Sequence, residues 1–410
     1  MPVTLEKDLN KKILMVMGPF SGKAWGAGQQ DTYNLVKLIM ELGHGVYLVT
    51  YDYNTNHEFV NKFKEIGAQV FVIPLNSKTP ILKTALTVKN LALLFDPAMH
   101  PFFRLCANED FKNLFERIQP EIVMGIQTFT FPVLDFAKKA GIPAILRSHA
   151  LEYNYYLDMI TSKHFFNPLT YLKYAAKYFL EMSAAKTASC VLAITPQELA
   201  VYKNWNSNSK LLPLCSLYEK IKDPTERLRI VHGQINLFYA GATYNILPHL
   251  KGAELLVEKI MPGLKSRGYD GFKLHIIGSK LPQRLIDKCD GKTIIYRGYV
   301  ENYNATLEEM DIGVFPTFTG RGMKQKIFEA ICKGFPVIAP EKVLGEYPLK
   351  HHENILLANN CDEFVENIIR LENKKERERI SHNAYEFAKK HFNKDSYIKI
   401  LKDSIREILV

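Results

Sequence analysis

Short β-rich apolar runs alternate with longer amphipathic stretches along nearly the whole chain, the pattern of parallel sheets covered on both faces by helices. In the first half the runs predict strands at Ile13–Met17, Val46–Thr50, Gln69–Ile73, Ile122–Ile126, Ala144–Arg147 and Cys190–Ile194. The rhythm restarts at Asn236–Ala240, Leu274–Ile277, Thr293–Tyr296, Ile312–Phe315, Pro336–Ala339 and Ile355–Leu357. Between the halves, Pro213–Gln234 is polar and charged with no sustained apolar period, and it reads as the interdomain connection. From Asp362 onward three helices are expected, and the charged run NKKERER is a solvated helix face. The expected fold class is α/β, two Rossmann-like doubly wound domains facing a central cleft where the carboxyl ends of both sheets meet. The boundaries drawn are 1–218, 219–392 and a C-terminal helix, 393–410, packing back on the first domain.

Size supports two domains, since 410 residues exceed what one hydrophobic core usually holds. Apolar residues at 47% and charged residues at 23% suit a globular enzyme. The net charge of +10 favours an acidic partner: a phosphorylated small molecule, an anionic membrane surface or nucleic acid. Charge alone does not choose. The six cysteines form no CxxC pair and suit reduced, buried thiols, and the N-terminal MPVTLEKDLNKK leads into an apolar run too short for a signal peptide or membrane span. A cytoplasmic protein is expected, with peripheral contact on the inner face of a membrane as the further possibility.

The most informative stretch is GRGMKQKIFEAICKGFPVI, Gly320–Ile338, which follows the apolar run IGVFP. Gly320 and Gly322 allow a tight turn with bare backbone N–H groups, and the helix that follows offers its positive end to an anion. Arg321, Lys324 and Lys326 add charge. Glu329, further along the helix, cannot serve the same phosphate and instead suits hydroxyls such as those of a ribose. Phosphate together with sugar points to a nucleotide.

The loop after the first strand, GPFSGKAWGAGQQD, is not a P-loop: Gly18–Gly22 is one residue short of the required spacing, and Ala24 stands where a hydroxyl is needed. Nor does it carry GxGxxG. Gly26 and Gly28 precede a helix expected at Thr32–Leu42, whose first turn either faces a phosphate or sugar or simply follows a flexible loop; the position at a sheet's carboxyl edge favours function. His149 ends the strand that includes Arg147, so it projects from the sheet edge as a candidate catalytic group, against the commoner structural reading of a lone histidine. Glu152, three residues on, either orients the imidazole or begins the next helix. Lys251, after LFYAG, is placed to reach a diphosphate or is an ordinary surface lysine; Tyr299, after TIIYRG, is placed to pack on a base.

These pieces together resemble the retaining glycosyltransferases of family 4, which have the GT-B fold. The second half carries the likeness through LFYAG with Asn245, KGAELL, LHIIG, YRGYVENY, MDIGVFP, GxGxKxKxxEA and KGFPVI; the first half adds the glycine loop, RSHALEY and CVLAITPQE. The resemblance implies a donor-binding second domain and an acceptor-side first domain. It implies that Glu329 holds the donor ribose, Lys251 the diphosphate, that His149 stands near the donor sugar, and that Gly26 and Gly28 approach sugar and phosphate. Two departures stand out: Arg321 occupies the place of the family's first glutamate, and Ala242 replaces an arginine. Basic residues at 321, 324 and 326 take over the diphosphate in the branch with this motif.

The reaction implied is transfer of a sugar from a nucleotide-diphosphate donor to a hydroxyl of a glycan or lipid-linked acceptor, with retention. Lysines and helix N–H groups can stabilise the leaving diphosphate, and no DxD appears, so neither metal nor cofactor is expected. Region Tyr153–Phe179 mixes aromatics with lysines and suits either an interfacial helix at an anionic membrane or packed core with a wet face. An epimerase or a glycan phosphorylase on the same architecture is the alternative enzyme. A nucleic-acid-binding protein would cluster its basic and stacking residues on one element, which this chain does not do.

Overall fold

The structure is a computed structural model that describes residues 10–20, 26–75, 97–161, 168–225, 234–318 and 323–409. It divides into two compact units, Met1–Ser216 with Lys394–Val410, and Leu217–Asn393.

The first unit is built on a parallel sheet of seven strands: β1 (Lys12–Val16), β2 (Gly45–Tyr51), β3 (Gln69–Ile73), β4 (Ile122–Ile126), β5 (Ala144–Arg147), β6 (Cys190–Ala193) and β7 (Ser209–Leu211). Their order is β3-β2-β1-β4-β5-β6-β7, the doubly wound arrangement in which the chain reverses direction beside β1. Every residue of β4, β5 and β6 is buried, as expected of strands covered by helices on both faces. The registers Ile13↔Val46 and Ile13↔Ile122 place β1 at the centre. Helices start where a polar side chain accepts the first free N–H groups, as Asn56, Asn108 and Thr195 do. The C-terminal helix Lys394–Leu409 belongs to this unit, with Lys394 on Glu41 at 2.7 Å and Lys210 on Glu407 at 2.8 Å.

The second unit repeats the plan with β8 (Ile235–Thr243), β9 (Phe272–Ser279), β10 (Ile294–Gly298), β11 (Ile312–Val314), β12 (Val337–Ala339) and β13 (Leu356–Leu357), all parallel, in the order β10-β9-β8-β11-β12-β13. Phe238 and Phe335 meet edge to face at 4.9 Å in its core. The helix Leu247–Leu255 lies so close to the sheet that a Cβ on Gly252 would run into the Tyr239 hydroxyl.

Two expectations are corrected. β7 was not foreseen, because SKL is short and carries one apolar residue. The first helix begins at Ala27 rather than Thr32, because Gly26 caps it: its N–H donates to Gln29 Oε1 at 2.8 Å and its carbonyl accepts from Gln30.

Candidate functional site

In the first unit the helix Ala27–Glu41 carries Asp31 on its apolar stripe, one turn from Leu35 and two from Leu38, all fully buried. An aspartate there must be paired. Arg147, the last residue of β5, supplies the partner through a fork: Nε donates to Asp31 Oδ2 and Nη2 to Oδ1, both at 2.9 Å. The guanidinium is itself held by the carbonyls of Leu212 at 2.5 Å and Pro213 at 3.0 Å. The Cys215 N–H adds a 2.6 Å bond to Asp31 Oδ1, and His149 Nε2 lies 2.8 Å from Oδ2. Burial alone would raise the Asp31 carboxyl; the Arg147 charge and the hydrogen bonds from His149 and Arg147 hold it far below the usual carboxylate range. Burial likewise works against the Arg147 cation, and Asp31 outweighs it, raising the guanidinium above its ordinary value.

His149 is 8% exposed, and its Nδ1 is buried with no hydrogen-bond partner among the described residues. It lies against Gly28, where a Cβ would stand 3.0 Å from Nδ1. The fold brings together Gly28 and His149, both of which the resemblance places near the donor sugar. Asp31 is the group that holds the imidazole; Glu152 begins the helix Glu152–Thr161. Beside this cluster Glu181 accepts from Tyr202 Oη at 2.6 Å and from the Tyr153 N–H at 3.1 Å. With no cation in this set, burial pushes the Glu181 carboxyl up to about 8.

In the second unit a second buried carboxylate, Glu329, sits on the helix Gln325–Cys332 and is 2% exposed. Three lysines surround it: Lys326 Nζ at 3.1 Å from Oε2, and Lys220 at 3.6 Å and Lys333 at 3.7 Å from Oε1. Burial raises the carboxyl, but the charges of Lys326, Lys220 and Lys333 overcome it and keep Glu329 below its ordinary value. Lys326 Nζ also stands 3.9 Å over the Tyr303 ring. Burial draws Lys333 down to about 8, with Glu329 offsetting part of the effect and Lys220 and Lys326 adding repulsion. Lys220, Lys222, Lys333 and Asn304 line a cavity of about 490 Å³.

Lys324 caps the N-terminus of that helix. Burial lowers His249, its bond to the Thr243 carbonyl opposes this, and the charges of Lys324 and Lys326 lower it further, so both lysines stand within electrostatic reach of the end of β8. The carboxyl edge of this sheet therefore carries concentrated positive charge at a helix N-terminus, where doubly wound sheets bind phosphates. The Lys251 side chain is 63% exposed and paired with Glu254 at 2.9 Å. Tyr299 is 71% exposed and makes no aromatic stack among the described residues. Arg321 and Gly322 lie outside the described residues, and Gly26 serves as the helix cap.

Asp31, Lys220 and Lys333 were missed by motif. The available signal for Asp31 was a charge on the apolar face of an amphipathic helix, and for Arg147 a charge closing a wholly buried strand. In the aromatic region, Tyr153 packs into the core against Trp205 at 6.0 Å, whereas Tyr171, Leu172 and Tyr178 are exposed. Among the described residues no helix is long and apolar enough to cross a membrane.

Residues 234–374 match the protein-family profile described as glycosyl transferases group 1. The chain is a glycosyltransferase, and this domain coincides with the second sheet and its helices. No curated protein sequence matches it. Among solved structures, it is similar to a glycosyltransferase from Rickettsia africae ESF-5, with 13% identity over 98% of this chain and 99% of that one and a TM-score of 0.67. It is also similar to Anabaena Alr3699/HepE in complex with UDP and glucose, at 14% identity over 97% and 99% with a TM-score of 0.63. A third is sucrose-phosphate synthase from Thermosynechococcus elongatus, at 15% identity over 97% and 99% with a TM-score of 0.69. At such identities the likeness is one of fold: two Rossmann-like domains of the GT-B class.

Proposed function

We propose that this glycosyltransferase belongs with the retaining enzymes of family 4 and works without a metal. It moves a sugar from a nucleotide-diphosphate donor to a hydroxyl of a glycan, which is lipid-linked where the exposed Tyr171, Leu172 and Tyr178 face rests on an anionic membrane from the cytoplasmic side. The second unit binds the donor and the first serves the acceptor side. The observation that carries this reading is the convergence of Lys324, Lys326 and Glu329 on one helix at the carboxyl edge of the second sheet.

As the bond from the anomeric carbon to the diphosphate oxygen breaks, its electron pair stays on that oxygen, and negative charge grows there. Lys324, Lys326 and the positive N-terminal end of the helix they begin stabilise it without reorganising. Arg321 and Gly322 also serve the diphosphate, while Lys251 and Tyr299 reach the diphosphate and the base from exposed positions. Glu329, released from one of its lysines, accepts from the ribose hydroxyls. The acceptor hydroxyl attacks on the face the diphosphate leaves, and its proton passes to the departing phosphate. His149, which lies against Gly28, orients the sugar, which Gly26 and Gly28 approach.

Because the Anabaena neighbour holds UDP and glucose, UDP is the first probe. A thermal-shift panel of UDP, GDP, ADP, dTDP and CMP identifies the base, since a bound nucleotide raises the melting temperature by mass action. With the nucleotide so identified, Glu329→Ala and Lys326→Ala are each expected to weaken binding at least about tenfold, as for the loss of a charge-assisted hydrogen bond. Unchanged affinity in calorimetry refutes the site.

A further inference from the structure

We propose that Asp31 is the positioning residue for His149: it keeps a proton on Nε2 and so presents Nδ1 as a hydrogen-bond acceptor for a hydroxyl of the bound sugar. The proposal rests on the glycosyltransferase reading of this site.

Asp31 Oδ1 receives Arg147 Nη2 at 2.9 Å and the Cys215 N–H at 2.6 Å; Oδ2 receives Arg147 Nε at 2.9 Å and faces His149 Nε2 at 2.8 Å. Three of these partners are obligate donors, and an aspartate pinned by a guanidinium fork has only lone pairs to offer. The fourth contact is a hydrogen bond only if Nε2 carries the proton. In a neutral imidazole Nδ1 is then a bare lone pair.

Asp31 cannot turn away to release that proton. It is fully buried on a helix of 15 residues, and the Arg147 that grips it is fixed in turn by the Leu212 and Pro213 carbonyls. The unsatisfied position is thus the other ring nitrogen, Nδ1, which lies buried without a partner among the described residues. A side chain at Gly28 would crowd that nitrogen, since a Cβ would come to 3.0 Å of Nδ1. A lone pair there accepts from O–H and repels a phosphate oxygen, which would need N–H instead. The ligand class is therefore a hydroxyl of the sugar rather than the diphosphate. Arg147 and Asp31 cancel in charge, so the imidazole meets a fixed dipole and not a net anion.

The test uses the full chain labelled with ¹⁵N in the histidine rings, with the His149 resonances assigned by their loss in His149→Gln. In the unmodified protein at mildly alkaline pH the expected form is Nε2–H with Nδ1 unprotonated; an Nδ1–H form overturns the proposal. Asp31→Asn is expected to give a mixture of the two forms, to lower kcat for transfer by at least about tenfold, and to leave nucleotide affinity within about twofold. A folded Asp31→Asn protein that keeps the single Nε2–H form and full kcat also overturns it. Where Asp31→Asn does not fold, the tautomer of the unmodified protein decides. An Nε2–H form in a protein that transfers no sugar from any nucleotide-sugar sinks the glycosyltransferase reading and the hydroxyl acceptor with it, leaving only the tautomer assignment; an Nδ1–H form with intact transfer sinks the role of Asp31 alone.

Discussion

Each unit pairs a buried carboxylate with cations at its candidate site, and the two are neutralised in opposite ways. Asp31 in the first unit is held by a two-pronged guanidinium, a backbone amide and an imidazole, so both oxygens carry two partners. Glu329 in the second unit faces three ammonium groups, of which only Lys326 at 3.1 Å is within hydrogen-bond range. Arginine presents a rigid planar fork matched to a carboxylate, whereas lysine is a mobile point charge on a flexible stem. The first arrangement fixes a geometry and leaves one buried ring nitrogen without a partner among the described residues. The second stores excess positive charge in groups that can turn to an incoming anion. A scaffold and a reservoir are built from the same type of ion pair.

The largest expected effect comes from breaking the fork. Arg147→Met leaves Asp31 buried with no cation, and loss of one partner of a buried pair typically removes about 3–5 kcal/mol. Denaturant unfolding of the variant should show the first unit melting early while the second keeps its transition. Were both transitions unchanged, the fork would be no scaffold and the contrast with Glu329 would lapse.

Glu181 sharpens the comparison as the case with no cation at all. Its carboxyl rises from an ordinary 4.5 to about 8, so the folded state holds a proton that the unfolded chain has lost. The sign follows: the contribution of Glu181 to stability is complete below about pH 4.5 and is lost as pH rises through about 8. Glu181→Gln reproduces the protonated form, with an oxygen for the Tyr153 N–H or Tyr202 Oη and an amide to donate. It should be close to neutral for stability at acidic pH and stabilising on the order of 1–3 kcal/mol near pH 8. Thermal unfolding of both proteins across that range measures it, and parallel pH curves would show that Glu181 is ionised in the fold after all.

The fold was legible because its signal is local: buried parallel strands read as apolar runs wherever they occur, and only β7, three residues at an edge, lacked one. The place of His149 just past the end of β5 was legible for a related reason, since strand ends at a carboxyl edge can be located from the strand itself. Its anchor was not. Asp31 lies 118 residues from His149 and 116 from Arg147, and nothing in a single sequence couples positions so far apart. The same holds for Lys220, which follows the polar connection and meets Glu329 only in the folded chain. Motif reading finds groups that face a ligand and passes over those that face one another, unless a charge is seen to interrupt an apolar stripe, as Asp31 does between Leu35 and Leu38 and the N-terminus of its helix.

The smallest expected effect is the most discriminating. If Glu329 is surrounded by a surplus of charge, one lysine can be removed without harm, and Lys333 is the one to choose. Its side chain is 11% exposed, it reaches Glu329 only at 3.7 Å, and its hydrogen bond goes to Asn304, whose side chain is open to water. Burial lowers its ammonium from 10.5 to about 8, with Lys220 and Lys326 adding repulsion. A lysine depressed in the fold contributes stability above its unfolded value and loses it as pH falls through the folded one, so at neutral pH Lys333 is a net burden. Lys333→Met replaces the stem with a flexible apolar chain of similar length and removes the repulsion. Stability at neutral pH should be unchanged or higher by up to about 1 kcal/mol, the difference vanishing above about pH 10. Nucleotide affinity should hold because Lys324 and Lys326 remain. A loss as large as that from Arg147→Met would mean that the three lysines clamp Glu329 as firmly as the fork clamps Asp31, and that the second unit has no charge to spare for a ligand.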